Sequence, residues 1–224
     1  MPKKRSKSSS FLLIIILVVA GAFWIFENYK SFAPDNKTNE GKTSSQSEIT
    51  KTGVYETFQN CSLVSDRGND GDSFKVKLPD GRIEIIRLYF VDSPESAFKS
   101  YRNGETNHAR IGHQARAFNI TPEQAVEIGK KAKNYTLSLL SKSPFTIHTE
   151  WDSPFNDQRY HAFIEFDARY KPRFLHERLV KEGLARIYTK GAEMPDGTSE
   201  KEQESQLRKI EKTAKTTRAG GWSF

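Results

Sequence analysis

Residues 70–95 read DGDSFKVKLPDGRIEIIRLYFVDSPE, and this stretch contains the hairpin that organises the fold. Within 74–78, apolar side chains alternate with lysines, which is typical of a strand with one buried face. A Pro-Asp-Gly turn at 79–81 separates this strand from a second run, 83–91, that is apolar around one arginine. Because side chains alternate along a strand, Asp72 falls on the inward face, which indicates the open end of a barrel.

The chain on either side extends this hairpin into a mixed α+β domain. Further strand-like runs lie at 54–64, 144–151 and 161–166. One helix is predicted from Thr121, with Gln124 completing a capping box; a second covers 172–182 and a third starts at Ser199. The order of elements predicts a small five-stranded antiparallel Greek-key barrel, OB-fold-like, packed with three helices.

Composition limits the function classes but identifies none. The 224 residues include 35 Lys and Arg against 28 Asp and Glu, for a net charge of +7. This modest excess suits a polyanionic partner without specifying one. The single cysteine, Cys61, excludes an internal disulfide, and we expect it to be a buried small hydrophobic residue.

The N-terminal region has the pattern of an exported protein. Three lysines and one arginine precede an uncharged apolar run at 11–26, so we predict a basic flank and membrane anchor over 1–29. A cleaved signal peptide is the alternative, and the protein would then be secreted. Residues 30–50 are polar and predict a flexible linker, which leaves 51–224 as a domain outside the cytoplasm.

Acids and an arginine fall at the ends of the two hairpin strands. Asp70 and Asp72 precede the first strand, and Arg87, Asp92 and Glu95 end the second. Metal-assisted attack on a phosphodiester needs hard oxygen ligands, a cationic clamp and a base, and this set offers all three. Taken singly, the acids suit a turn before a helix, and the arginine suits a structural ion pair.

The ordered set of motifs resembles the thermonuclease, or staphylococcal nuclease-like, family over most of residues 54–224. The resemblance rests on the Asp-Gly-Asp-Ser of 70–73, on the arginine and acids of 87–95, and on Arg159 after a loop. It also rests on the Leu-Val-x-x-Gly-Leu-Ala of 179–185 and on a charged C-terminal helix.

The resemblance implies a metal site at the hairpin. Asp72 and Asp92 would be carboxylate ligands of one Ca²⁺, and the backbone carbonyl of Ser93 would be a third protein ligand. Asp70 would lie just behind these ligands. Water and a phosphate oxygen would complete the shell of six to eight oxygens that calcium prefers.

The resemblance also implies how the substrate is bound. Glu95 would activate the attacking water, and Arg87 and Arg159 would bind the scissile phosphate through their forked guanidiniums. Tyr188 would lie near the nucleotide. On the residues alone, Tyr188 is equally an ordinary aromatic and Arg159 an ordinary loop charge.

Two departures from the family pattern stand out. Asp157 and Gln158 replace the family's aromatic-glycine pair, and Asp157 could pair with Arg159 and weaken its contact with phosphate. Residues 96–120 form an insertion that carries basic and aromatic side chains, among them Lys99, Tyr101 and Arg110. Such residues suit single-stranded nucleic acid through phosphate contacts and base stacking.

We therefore expect a calcium-dependent nuclease that cuts DNA and RNA with little sequence preference and favours single strands. The resemblance implies that cleavage leaves 3′-phosphates. We expect a monomer, because the sequence gives no sign of an oligomer. One alternative is a non-catalytic nucleic-acid-binding barrel at the cell envelope. Another is an envelope scaffold whose acids hold a structural calcium.

Overall fold

The computed structural model describes residues 49–153, 157–167, 169 and 171–224. The predicted anchor at 11–26 lies outside these residues, as does the predicted linker apart from its last two residues. Within the described ranges, no helix combines the length and the apolar character that crossing a membrane requires.

The described chain contains eight strands, four α-helices and a C-terminal 3₁₀ turn. In chain order these are β1 (Ile49–Thr52), β2 (Tyr55–Leu63), β3 (Ser73–Lys77), β4 (Ile83–Leu88), β5 (Val91–Asp92), α1 (His108–Phe118), α2 (Pro122–Leu140), β6 (Phe145–Thr149), β7 (Arg159–Glu165), α3 (Leu175–Lys181), β8 (Arg186–Ile187), α4 (Glu200–Thr216) and the 3₁₀ turn (Gly220–Ser223). The mixed α+β class is confirmed. The prediction of three helices is wrong, because the insertion contributes a fourth.

Five strands form a ring in the order β2-β3-β4-β7-β6, and pairing between β2 and β6 closes it. Strand β1 extends the sheet outside the ring as the antiparallel partner of β2. The ring is consistent with an OB-like barrel, but the prediction of a wholly antiparallel sheet is wrong. Strands β4 and β7 run parallel, with Ile85 opposite Arg159. Helices α1 and α2 form part of the long connection that a parallel pair requires.

The interior of the ring is packed with large side chains. Phe58, Phe74, Tyr89 and Phe163 are almost fully buried, and the rings of Tyr89 and Phe163 lie 4.8 Å apart between centroids. Cys61 is buried, as predicted. Burial of each such side chain contributes about 1.5–3 kcal/mol, so the core holds the strand ends in fixed positions.

Helix α2 begins where the sequence predicts and lies directly against the acidic loop. The Thr121 hydroxyl accepts from the Gln124 amide N–H, and the Gln124 side chain accepts from the Thr121 amide. Gly129 permits the close approach: a Cβ there would lie 2.3 Å from the carbonyl oxygen of Glu95. The helix therefore supports the loop that carries the predicted base.

The insertion at 96–120 contains the unexpected helix, α1. Its buried residues include Ile111, Ala115 and Phe118, whose spacing of four and three places them on one face. Ile111 and Ala115 pack against the first turns of α2. The helix ends at Asn119 in a left-handed conformation with φ of 59°. The helical part of the insertion is thus a packed element of the domain.

Candidate active site

The β3–β4 hairpin brings Arg87 to two carboxylates at the mouth of the barrel. Arg87 pairs with Ser73 across the hairpin, so Asp72 lies next to its guanidinium. Nη2 of Arg87 is 3.2 Å from Asp92 Oδ1 and 3.7 Å from Asp72 Oδ2. All three side chains are buried, so water screens these charges little. Burial outweighs the attraction of Arg87 and raises the pKa of the Asp72 carboxyl to about 6.

Asp92 is the most heavily engaged of the predicted site residues. Its Oδ1 accepts from Arg87 and, at 2.8 Å, from Arg110; its Oδ2 accepts from Gln114 at 3.0 Å and from Arg186 at 2.9 Å. A carboxylate offers about four lone-pair sites, and these four donors occupy them. A metal ion bound by Asp92 must therefore replace at least one donor.

Gln114 of α1 is fully buried and holds the acidic loop through three contacts. Besides its bond to Asp92, its Nε2 donates to the carbonyl of Ser93 at 3.0 Å, and its Oε1 accepts from the amide of Glu95 at 3.0 Å. The amide of Ser93 in turn donates to Asp72 at 2.8 Å. The carbonyl predicted to bind calcium is thus engaged by a helix of the insertion.

Glu95 lies at the rim of this cluster and is partly open to solvent. Its Oε1 accepts from Nε of Arg110 at 3.1 Å, and its Oε2 lies 3.4 Å from both Lys99 Nζ and Asn107 Nδ2. All three partners come from the insertion. They orient a carboxylate that still reaches the cavity where a water could be activated.

Asp70 lies beside the cluster. Its Oδ1 accepts from the amide of Gly71 at 2.9 Å, and burial raises the pKa of its carboxyl. Gly71 is needed for packing, because a Cβ there would lie 2.8 Å from both Ser93 Oγ and Ala132 Cβ. The Asp-Gly-Asp motif therefore places two carboxylates close together by means of a residue without a side chain.

Two cavities open at the barrel mouth and share three arginines. The first, of about 220 Å³, is lined by Asp70, Asp72, Ser93 and Glu95, among others. The second, of about 890 Å³, is lined by Asp92, Tyr188 and mainly cationic side chains. Arg87, Arg110 and Arg159 line both. The two predicted carboxylate ligands therefore open into different cavities, with Arg87 between them.

Arg159 reaches both cavities, but its guanidinium is paired with a neighbour. Its Nε donates to Asp157 Oδ2 at 2.7 Å, and its Nη2 contacts the same oxygen. The hydrogen bond from Arg159 lowers the pKa of the Asp157 carboxyl. The pairing expected from the sequence is confirmed, and it leaves Arg159 less free to hold a phosphate.

Tyr188 lies on the wall of the larger cavity and exposes 68% of its surface. Strand β8 pairs Arg186 with Asp92, and the guanidinium carbon of Arg186 lies 3.9 Å from the centroid of the Tyr188 ring. The structure thus brings this aromatic residue to the same cavity as the predicted phosphate-binding arginines.

The donors at the barrel mouth fit a hard divalent cation in their chemistry. Asp72, Asp92 and the Ser93 carbonyl are oxygen donors, as calcium prefers. Burial raises the pKa of the Asp72 carboxyl, so a cation bound beside it would favour its charged form. No three His, Cys, Asp or Glu side chains gather as a metal site among the residues with described positions. Water and substrate would have to supply the other ligands.

Sequence reasoning missed two residues of this cluster, and it listed a third without a specific role. Gln114 and Arg186 both contact Asp92, and nothing in the sequence around Arg186 distinguishes it. Arg110 counted only as one basic residue of the insertion. The available signal was the apolar spacing of α1, which would have placed Arg110 and Gln114 one turn apart on a helix.

A closed strand ring with carboxylates and guanidiniums at its mouth defines a class of small barrels suited to a polyanion and a hard cation. The chain belongs to a family of this class, staphylococcal nuclease homologue, whose model matches residues 85–224. The match includes Arg87, Asp92, Glu95 and Arg159, and the resemblance seen in the sequence is confirmed. Asp70 and Asp72 precede it.

The chain is also similar to a protein of Methanocaldococcus jannaschii that is described as uncharacterized. The two are 28% identical over 207 residues, which cover 90% of this chain and 80% of the relative.

Proposed function

We propose that this protein is a calcium-dependent nuclease that hydrolyses phosphodiester bonds in DNA and RNA. One observation carries the proposal: buried carboxylates and three arginines open together into adjoining cavities at the barrel mouth. Membership of the staphylococcal nuclease homologue family supports the same activity.

Asp72, Asp92 and the Ser93 carbonyl would hold the calcium ion, with Asp70 behind them. When bound, the ion supplies positive charge that offsets the charge of the phosphodiester and of the attacking hydroxide. Because Asp92 is saturated by donors, we infer that loading the site rearranges at least one of its arginine contacts.

The side chains then have distinct tasks. Glu95 accepts a proton from the attacking water, while Arg87 and Arg159 bind the non-bridging phosphate oxygens, where charge grows in the transition state. Hydroxide adds to phosphorus, and the bond to the 5′ oxygen breaks. That oxygen takes up a proton from solvent water, and Glu95 returns its proton to solvent, so the products are a 3′-phosphate and a 5′-hydroxyl. Arg159 must release Asp157 to take part.

We propose single-stranded DNA and RNA as the preferred substrates. Contacts to phosphate carry no base code, so little sequence preference follows. Tyr188 exposes its ring at the larger cavity, and Phe98 and Tyr101 of the insertion are exposed as well. Such rings stack on unpaired bases, which a duplex does not offer.

We further propose that the protein acts as a monomer outside the cytoplasm, anchored through residues 11–26. The support is the basic flank followed by an uncharged apolar run. Protease added to intact cells should digest the domain, and its protection inside the cells would contradict this placement. Light scattering of the purified chain should give the mass of a single chain, and a larger mass would exclude the monomer.

The test of the nuclease is cleavage of heat-denatured DNA by the full-length chain in calcium and in chelator. We expect cleavage only in calcium, and a rate about 10²–10⁴-fold lower in Glu95→Gln, because the base is lost. Glu105→Gln is the matched control, since Glu105 is an exposed insertion residue that contacts Asn103. Uncut DNA beside a folded chain would contradict the proposal.

One observation favours a second candidate, a barrel that binds nucleic acid without cutting it. All the acceptor sites of Asp92 are occupied, and Arg159 is paired with Asp157. If these contacts persist in calcium, neither the metal nor the phosphate is bound as catalysis requires. DNA binding without cleavage in calcium would establish this candidate.

A further inference from the structure

Helix α1, within the 96–120 segment, brings an arginine to the barrel mouth. Nη2 of Arg110 lies 2.8 Å from Asp92 Oδ1, and its Nε lies 3.1 Å from Glu95 Oε1. The guanidinium therefore spans the loop between the predicted metal ligand and the predicted base. The same side chain lines both cavities.

The two carboxylates hold the Arg110 guanidinium in place but do not use all of its N–H donors. Burial lowers the pKa of Arg110, but Asp92 and Glu95 outweigh it, so the pKa lies above its ordinary value. A guanidinium has five N–H donors, and the two contacts described use two of them. The side chain is 43% exposed, so solvent and ligands reach it.

The other two shared arginines are placed less favourably for a ligand. Arg87 is 7% exposed and lies between two carboxylates. Two guanidinium nitrogens of Arg159 donate to the Asp157 carboxylate. Resting on the nuclease proposal above, we propose that Arg110 binds a phosphate of the substrate strand where the two cavities meet. It is then a third phosphate-binding arginine of the site, supplied by the insertion.

The packing of the insertion supports a binding role rather than a mobile surface charge. Ile111, which follows Arg110 on the helix, and Ala115, one turn beyond Ile111, are buried against α2. At the start of the helix, the side chain of Asn107 accepts from the amide of Lys99 at 2.8 Å and donates to the carbonyl of Ala97 at 2.9 Å. A guanidinium fixed in advance loses little freedom when phosphate binds, which favours both affinity and orientation.

The test measures binding without cleavage. Fluorescence anisotropy of a short labelled single-stranded DNA, titrated in chelator with the full-length chain, gives affinity at several salt concentrations. The slope of log affinity against log salt is negative, and loss of one phosphate contact reduces its magnitude by about 0.7. We expect Arg110→Met to show this change and to bind about tenfold more weakly.

Arg116→Met is the matched control, because it removes the same charge from an exposed position of the same helix. Arg116 contacts His113 and lines neither cavity. We expect it to leave the slope at the wild-type value. Arg110→Lys keeps the charge but not the fork, so it should recover the slope and only part of the affinity.

The outcomes separate Arg110 from the nuclease proposal. A salt dependence that is less steep in Arg110→Met than in the wild type supports phosphate binding even if the wild-type chain cuts nothing. A slope that is the same in Arg110→Met and Arg116→Met overturns it, even if the wild-type chain cuts DNA. Absence of DNA binding by the wild-type chain at low salt overturns it too. If Arg110→Met fails to fold, equal affinities of Arg110→Lys and the wild type overturn it.

Discussion

Arg87 and Arg159 open into the same two cavities, but their surroundings are opposite. Arg87 lies between Asp72 and Asp92, with 7% of its side chain exposed. Arg159 is 36% exposed and pairs with Asp157, two residues before it. Removing one member of a buried ion pair lowers stability as well as activity, whereas removing an exposed charge at the rim affects mainly activity. Two residues expected to share one task should therefore respond differently to substitution.

Replacing Arg87 with Met should give the largest effect. It leaves Asp72 and Asp92 buried without their shared partner, so we expect a loss of about 3–5 kcal/mol in the free energy of unfolding. Cleavage should disappear with it. Urea denaturation and a DNA cleavage assay on the same preparation measure both.

Arg159→Met is the matched variant for that experiment. We expect it to reduce cleavage about 10²–10³-fold, as loss of one transition-state donor does. Its free energy of unfolding should change by less than about 1 kcal/mol, because the pair is exposed. Equal destabilisation by the two variants would show that the contrast between the arginines is wrong.

Replacing Gln114 with Leu tests whether the buried side of the site depends on the insertion. The change removes three hydrogen bonds to the loop of Asp92, Ser93 and Glu95 without changing the side chain's size much. We expect a loss of about 1–3 kcal/mol in the free energy of unfolding, from groups left unpaired. In the cleavage assay, kcat should decrease by a larger factor than the factor by which KM changes. An unchanged kcat would exclude a positioning role.

His176 sharpens the contrast, because it is buried without a counter-charge. Burial lowers its pKa to about 3, against an ordinary value of 6.5. Below pH 6.5 the unfolded chain binds a proton that the folded chain excludes. The free energy of unfolding therefore decreases as the pH is lowered. We expect a loss of about 2 kcal/mol between pH 7 and pH 5 from this group. Urea denaturation across that range measures it.

In His176→Gln, the free energy of unfolding should change less between pH 7 and pH 5 than it does in the wild type. His108→Gln is the control, because His108 lies exposed at the start of α1. If both variants keep the wild-type pH dependence, the loss comes from other groups.

Replacing Asp157 with Asn should give the smallest effect, and in the direction of gain. It frees Arg159 from its carboxylate, so we expect binding of single-stranded DNA to tighten a few-fold, with little change in stability. Asp167→Asn is the control, because Asp167 holds Arg169 in the same Asp-x-Arg arrangement away from the cavities. Equal tightening in both would indicate a general charge effect.

Local patterns predicted the hairpin and the cap of α2, because both depend on neighbouring residues. The turn at 79–81 and the Thr121–Gln124 capping box occur where the sequence indicates. The parallel pairing of β4 with β7 was not predicted, because it joins segments about 70 residues apart and no local pattern encodes it.

The site likewise contains residues that the sequence predicted and residues that depend on long-range packing. The order of the motifs predicted Asp72, Arg87 and Asp92 as site residues. In the structure Arg87 contacts both carboxylates. Gln114 and Arg186 depend on how the insertion and β8 pack, which a single sequence does not reveal. The pairing of Arg159 with Asp157 was foreseen, because an acid two residues away is within reach of the guanidinium.

Strand β1 also determines how the domain responds to mechanical tension. It contacts β2 through four antiparallel residue pairs, from Ile49 opposite Phe58 to Thr52 opposite Tyr55, and it lies outside the closed ring. A pulling force applied on the N-terminal side of Ile49 loads these pairs one at a time, beginning with the first. The strand would peel away at low force, while the ring stays closed through β2 and β6. The cavities would thus keep their shape under a pull that extends the chain by four residues.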